Sequence, residues 1–384
     1  MKVAKLLPVI ISVALWLPFY LSAQAIPKNT VGPRTPVPAP AEQAIDPQDL
    51  IPSFDVQFKA GDPIPGITAS PVMVIPIQCN GDGAALIDML MPPDFRDRTI
   101  YLVRPTMASA IPVKNIPGLS NIQIVNVFAS HSLVGVLLYA TKVTTDSSKP
   151  KDYSYFIATF DPNNGYRGTI EIPISYQVYR FAILPSGDFV VFGYDTAGNT
   201  PRLWLLDSSG AFKRAIQLPE KVQDAVTTVP KDKKLDAMPY PIADSMRAST
   251  AFGNPRFTAY GEKVIFGLAG KNSVLEIGNG GSVREVQIES PKGYDFDAFI
   301  PSNDRWIVQF KRSGLPDSGQ VDIRPETQNI LFYEVTASDG TLRRRLNLGS
   351  DPIGSIACEK DGVLMNFKTD DKQHLIPMTA DLGK

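Results

Sequence analysis

Apolar residues along this chain fall into short runs, alternating or continuous, and most runs end at a turn carrying Gly, Pro, Asp, Asn or Ser. The clearest example is Val178 to Leu218, VYRFAILPSGDFVVFGYDTAGNTPRLWLLDSSGAFKRAIQL. Tyr179 to Ile183 is an apolar run closed by Pro185-Ser186-Gly187-Asp188, and Phe189 to Gly193 follows as a second strand. A longer polar connection leads to Leu203-Trp204-Leu205-Leu206, and Asp207-Ser208-Ser209-Gly210 then reverses the chain into Ala211 to Leu218. An Asp opening a turn accepts a bond from the backbone two residues on, and the closing Gly tolerates positive φ. Four antiparallel strands in about 40 residues match one propeller blade.

The same order of turns returns along the chain. First turns lie at Cys79 to Gly83, Phe128 to Ser132, Ala259 to Lys263, Ile300 to Asp304 and Cys358 to Gly362. Second turns lie at Asp161 to Gly165, Asn279 to Gly281 and Ser338 to Gly340. An irregular β-sandwich also has frequent turns, but gives no reason for one four-strand order to recur. The expected fold is therefore all-β, a propeller of six four-stranded blades. The segment after Ile353 supplies only three strands, so the alternating stretch Ser53 to Lys59 is expected to complete the last blade and leave no open edge between the chain ends.

Ahead of this domain, assigned to residues 52–384, stand two other segments. Met1 to Ala25 has Lys2 and Lys5, an apolar run from Leu6 to Leu21 broken by Pro8 and Pro18, and the small-x-small triplet Ala23-Gln24-Ala25. That pattern predicts an export signal that is cleaved, leaving no stable membrane insertion, and a periplasmic or extracellular protein. Residues 26–51 hold six prolines and few large apolar residues, the composition of an extended spacer.

With the turns PSGDF (Pro185 to Phe189) and DSSGAF (Asp207 to Phe212) as its motifs, the domain resembles secreted bacterial six-bladed propellers of the broad NHL and TolB-like type. The resemblance implies a fold; function does not follow from fold. No set of Glu, Asn and Asp residues maps onto the calcium site of the lactonase-like members.

Composition narrows the chemistry. A formal net charge of −1 gives no field to draw nucleic acid, and aromatics, at 9%, are spread over the strands. The two histidines, His131 and His374, cannot make a multi-His metal site, and no nucleophile, P-loop or zinc motif occurs. No cofactor is implied. Asp82, Asp88, Asp94 and Asp97 lack the spacing of a calcium loop and read as turn residues. Lys231, Lys233, Lys234 and the run Arg343-Arg344-Arg345 read as solvated charges, the latter on an outer strand.

Two features point to a site. Asp295 and Asp297 alternate with Tyr294, Phe296 and Phe299 at the start of an inner strand, where they could line a central channel. The first-to-second and third-to-fourth turns are short, whereas Lys142 to Asp152, Pro219 to Pro255 and Ser313 to Asn329 all emerge at the other end of the strands. Long loops in compact domains usually carry function or are disordered. Tyr240, Phe252 and Arg256 are the contacts this placement suggests. The leading reading is an exported, non-enzymatic binding or scaffold protein with an unknown protein or small-molecule partner; the alternative is a propeller hydrolase, lactonase or lyase using a central pocket.

Cys79 and Cys358 occupy equivalent places in the first and last blades, which are neighbours in a closed ring, and export permits a disulfide. The bond needs Cα atoms within about 7 Å, so the sequence leaves a disulfide and two buried thiols equally open. The nearly all-β reading has a direct check: circular dichroism of the purified protein is expected to show little helix, and a helical share above about a quarter would refute it.

Overall fold

The computed structural model describes residues 50–67, 73–79, 84–91, 97–143, 152–161, 163, 165–172, 177–195, 200–218, 256–268, 272–302, 304–314, 328–348, 358–372 and 374–383. The expected signal and spacer segments, apart from residues 50 and 51, lie outside them, as does the stretch Ile242 to Ala251, the best short candidate for helical periodicity in the sequence. No α-helix occurs among the described residues.

The chain starts with two short strands, β1 (Ser53–Asp55) and β2 (Lys59–Ala60). Five antiparallel meanders of four consecutive strands follow. The first is β3 (Met73–Cys79), β4 (Ala85–Met91), β5 (Asp97–Arg104) and β6 (Met107–Ala110). The second is β7 (Leu119–Ala129), β8 (Val134–Lys142), β9 (Tyr153–Phe160) and β10 (Tyr166–Glu171). The third, β11 (Gln177–Ile183), β12 (Phe189–Asp195), β13 (Thr200–Leu206) and β14 (Phe212–Ile216), is the repeat unit read in the sequence. The fourth is β15 (Arg256–Tyr260), β16 (Lys263–Leu268), β17 (Ser273–Gly278) and β18 (Val283–Gln287). The fifth is β19 (Tyr294–Ser302), β20 (Arg305–Arg312), β21 (Ile330–Thr336) and β22 (Leu342–Asn347). A last sheet joins β23 (Cys358–Lys360), β24 (Val363–Thr369) and β25 (Leu375–Asp381) to β2.

The first strands of successive sheets adjoin in cyclic order, β3 to β7, β11, β15, β19, β23 and back to β3, which is the arrangement of a β-propeller. The apolar core lies in the seams between sheets. Ile100 and Leu102 meet Val127 and Phe156 between the first and second; Phe128, Phe181, Phe192 and Phe266 run through the second, third and fourth. Trp306 and Phe310 pack with Ile265 and Val274 between the fourth and fifth, Ile307 with Leu364 between the fifth and last, and Val103 with Leu375 between last and first. Two glycines show how tight these seams are. A Cβ on Gly135 of β8 would stand 2.7 Å from the Phe181 ring of β11, and one on Gly267 of β16 would collide with the Phe299 ring of β19. In both places the second strand of one sheet gives up its side chain to admit an aromatic ring from the next sheet's first strand.

The turns behave as their sequences require. Asp207 Oδ1 accepts from the backbone N–H groups of Ser209 and Ala211, both at 2.9 Å, while Gly187 and Gly210 hold φ of 85° and 87°. The Ser209 hydroxyl and these amides hold the Asp207 carboxyl below the ordinary carboxylate range.

Closure differs from the sequence expectation. Ser53 to Lys59 is not one strand of the last sheet: β1 lies parallel to β22 (Phe54 opposite Leu346) as a fifth strand of the preceding sheet. Only after the chain crosses does β2 pair antiparallel with β25, Lys59 opposite Thr379, as the outermost strand of the last sheet. Val56, between them, is buried against Leu346 and Leu382, with Phe54 and Phe58 packed beside it, so this segment staples both sheets. The N-terminal segment thus covers two edges instead of one. It also changes the reading of Arg343 to Arg345: β22 is covered by β1, and Arg344 is a partly buried clip with its guanidinium 4.5 Å from the Phe54 ring centroid.

That clip recurs. Arg344 donates to Glu334 Oε1 at 2.8 Å and to the Leu382 carbonyl of the next sheet at 2.9 Å. Arg284 donates to Glu276 Oε1 at 2.7 Å and to the Ser338 carbonyl of the next sheet at 3.0 Å, and Arg214 reaches the Gly280 carbonyl in the same manner. Glu276 and Glu334 are both about as buried as the core, and Lys263 completes the shell of the former at 2.8 Å. Burial pushes the Glu276 pKa up, but the bonds from Arg284 and Lys263 outweigh it and the net direction is down. In the third sheet the position across from Arg214 is Leu205, so an apolar residue serves there.

Cys79 of β3 and Cys358 of β23 form a disulfide, with Cα atoms 4.9 Å apart, across the seam between the first and last sheets. Both are buried, beside Ala85 and Met365. By the chain-entropy account, a bond closing so long a loop contributes up to about 5 kcal/mol.

Two measurements follow from these seams. Thiol titration of the denatured, unreduced protein is expected to find no free thiol; two would exclude the bond. In urea unfolding, Arg284→Met is expected to cost about 2–3 kcal/mol, because it strips the main partner from a buried carboxylate. The double change Glu276→Leu with Arg284→Met is expected to cost less than that single one, as Leu205 serves in the third sheet. Because the Glu276 pKa is lowered by folding, its contribution is complete above the ordinary carboxylate range and is lost as pH falls through the folded-state value. The difference between wild type and Glu276→Gln should therefore shrink on acidification.

Candidate functional site

Every innermost strand begins at the end of the sheets where the second-to-third loops and the inter-sheet connections attach. At that end several innermost strands leave regular pairing. A bulge falls between Ile124 and Asn126 in β7, between Val178 and Arg180 in β11, and between Phe296 and Ala298 in β19. A bulge inserts one residue without a ladder partner and re-aims its side chain. The inserted residue is Val125 in β7, Tyr179 in β11 and Asp297 in β19.

Side-chain amides brace two of these distortions. Asn272, held at φ 49° before β17, accepts from the backbone N–H of Phe296 at 3.0 Å. Asn126 on β7 accepts from the N–H of Phe181 on β11 at 3.4 Å. In both cases the amide belongs to the preceding sheet, so the bulge is tied to the seam behind it. Asp297, half-buried, accepts from Gln309 Nε2 at 2.7 Å, and Arg180 donates to the Tyr179 carbonyl at 3.0 Å.

The residues selected from sequence are placed as follows. Asp295 is exposed on β19 and stands opposite Lys311 in register; Asp297 is the bulge residue two positions on. Arg256 is the first residue of β15, opposite Gly267. The neighbouring inner strands β15 and β19 therefore bring Arg256, Asp295 and Asp297 to the same end of adjacent sheets. Tyr240 and Phe252 lie outside the described residues. Across the ring, β15 approaches β3 and β7 with Cα atoms within 8 Å.

His374 is not isolated. Its Nδ1 lies 2.9 Å from Asp370 Oδ2, and Asp370 Oδ1 accepts from the backbone N–H of Lys372 and of His374. The backbone N–H of His374 and then its ring hold the Asp370 carboxyl below the usual range. The pair orders the connection from β24 to β25. Among the described residues, no three His, Cys, Asp or Glu side chains gather as a metal would require.

Several residues that build this end escaped the sequence reading. Asn126, Asn272 and Gln309 carry no motif, because their partners are supplied by strands distant in sequence. The buried glutamates had a signal, since VLEIGNGGSVRE and LFYEVTASDGTLRR both set a Glu on one strand against an Arg on the next. Among the described side chains, the arrangement offers two carboxylates, exposed Asp295 opposite Lys311 and half-buried Asp297 already committed to Gln309. That suits hydrogen bonding and charge pairing with a polar partner.

No family model and no curated protein matches the chain. Solved structures that resemble it include a member of the DUF4221 family from Bacteroides vulgatus, with a TM-score of 0.41 at 8% identity, covering 85% of this chain and 97% of that one. A virginiamycin B lyase from Staphylococcus aureus has a TM-score of 0.35 at 12% identity and covers 84% and 99%. A Trypanosoma rangeli sialidase has a TM-score of 0.40 at 10% identity and covers 82% of this chain and 54% of its own. At such scores the resemblances carry no argument about activity, and the assignment to the β-propeller class rests on the strand order and the cyclic seams.

Proposed function

We propose that this is an exported, non-enzymatic binding or scaffold protein: a six-bladed propeller of the NHL and TolB-like kind, the composite last sheet being its sixth blade. The export signal in Met1 to Ala25 supports a periplasmic or extracellular location, and the Pro-rich residues 26–51 are a spacer ahead of the domain. The binding surface is the end where the inner strands begin.

One observation carries this reading. At the opposite end, the connections from first to second and from third to fourth strands are two to five residues long wherever both flanking strands are described in full. At the proposed end, the chain spends residues 143–152, 217–255 and 313–329 on connections. Closing longer loops costs entropy that folding alone gives no reason to spend. The second of these segments leads into β15, which begins at Arg256, and the third joins β20 to β21 in the sheet whose inner strand, β19, carries Asp295 and Asp297.

Replacing Pro219 to Pro255 by a short Gly-Ser bridge tests the assignment. The shortened protein is expected to unfold cooperatively and to lose the partners that the intact protein captures from extract of its host. Retained capture would place the surface elsewhere. Turnover in a panel of ester and lactone substrates would overturn the non-enzymatic reading.

A further inference from the structure

On the second sheet, at the same end but away from Arg256, Asp295 and Asp297, three tyrosines form a ladder. Tyr139 of β8 stacks on Tyr153 of β9, with ring centroids 4.8 Å apart and planes 19° from parallel, and its other neighbour is Tyr155 at 5.1 Å. Tyr155 is buried in the seam with the third sheet and Tyr153 is 40% exposed, so the ladder runs from core to solvent. The outermost ring is therefore backed by a second ring and offers solvent a fixed aromatic surface. Stacking of this kind removes the rotamer freedom that a single exposed tyrosine keeps.

Beside the ladder lies a set of neutral polar groups. Thr141 is opposite Tyr153 in the β8–β9 register, so the two share a face. Its buried hydroxyl lies 2.8 Å from the Ser120 hydroxyl, donates to the Ser120 carbonyl at 3.1 Å, and accepts from Asn121 Nδ2 at 3.0 Å. Asn121 is exposed and held at φ 51°, a conformation that L-residues rarely adopt. Gln123 is exposed opposite Tyr139. The adjacent charges, Lys142 and Glu171, are paired with one another at 2.6 Å.

We propose that this ladder and its polar border, the Tyr153 face with Asn121 and Gln123, are a binding site for a neutral oligosaccharide. An aromatic face takes the C–H face of a pyranose ring, and neighbouring amides exchange hydrogen bonds with its hydroxyls. The mutual pairing of Lys142 and Glu171 disfavours a phosphate or a charged sugar, and the near-zero net charge disfavours nucleic acid. The site shares no residue with the rim on the fourth and fifth sheets and does not need residues 219–255, so it goes beyond the reading above.

Calorimetric titration of the purified protein with hexasaccharides of β-1,4-linked glucose, β-1,4-linked N-acetylglucosamine and α-1,4-linked glucose tests it. At least one is expected to bind with Kd below about 1 mM. Tyr153→Ala is expected to weaken that binding by about tenfold or more, and Tyr153→Phe to retain it. Asn121→Gly is expected to weaken binding several-fold with little change in thermal stability, because relief of the positive φ offsets the lost bond to Thr141. The variant with Pro219 to Pro255 replaced should bind the sugar as the parent does, which separates this site from the partner-binding rim. Absence of binding to all three sugars overturns the proposal, as does unchanged affinity in folded Tyr153→Ala. Binding of a synthetic peptide of residues 26–51 at Tyr153, with no response to any sugar, would instead assign the ladder to a proline-rich segment.

Discussion

Everything in this molecule depends on how one sheet seats against the next. The individual sheets are too small to bury their own apolar faces, so stability resides in the seams, and each seam has the same physical problem: two twisted surfaces must approach closely enough to exclude water. Gly135 and Gly267 solve it by omission, leaving space for Phe181 and Phe299. The outer part of the seam is held electrostatically. Arg284 and Arg344 each pair with a buried glutamate of their own sheet and also donate to a carbonyl of the following one, so that each ion pair is anchored to the neighbouring sheet. The clips therefore reward assembly of adjacent sheets in the correct order.

A ring built this way has one weak point, where the last sheet meets the first. Two devices converge there: Val103 and Leu375 extend the apolar seam, and the Cys79–Cys358 bond joins the innermost strands. The covalent link joins the innermost strands of a seam that the chain itself crosses only from β2, the outermost strand of the last sheet, to β3. Such a link persists in an oxidising compartment, where the proposed export would place the protein.

The two ends of the sheets are chemically unlike. One is trimmed to tight turns ordered by Asp side chains such as Asp207. The other carries the bulged inner strands, the inner-strand positions Arg256, Asp295 and Asp297, and the tyrosine ladder. Bulges and side-chain braces from Asn126 and Asn272 keep backbone polar groups satisfied where regular pairing stops, so that end is shaped but rigid. Rigid polar and aromatic groups at the mouth of a scaffold lose little entropy on capturing a ligand.

The sequence by itself determined the strands and their turns. The four-strand order, the Asp-to-Gly turns and the equivalence of Cys79 and Cys358 are local patterns, read from period and from backbone chemistry that acts within a few residues. The propeller class follows from their repetition. What only the tertiary structure decided is what strands far apart in the chain, or the sheets they form, do to one another: that Ser53 to Lys59 divides between two sheets, that Arg344 is a clip and not a solvated charge, that Glu276 is buried, and that Tyr139 stacks on Tyr153 with Tyr155 beside it. Those contacts depend on sheet twist and on the register of strands far apart in the chain. Local periodicity records which residues turn inward, but it holds no information about which neighbour they will meet.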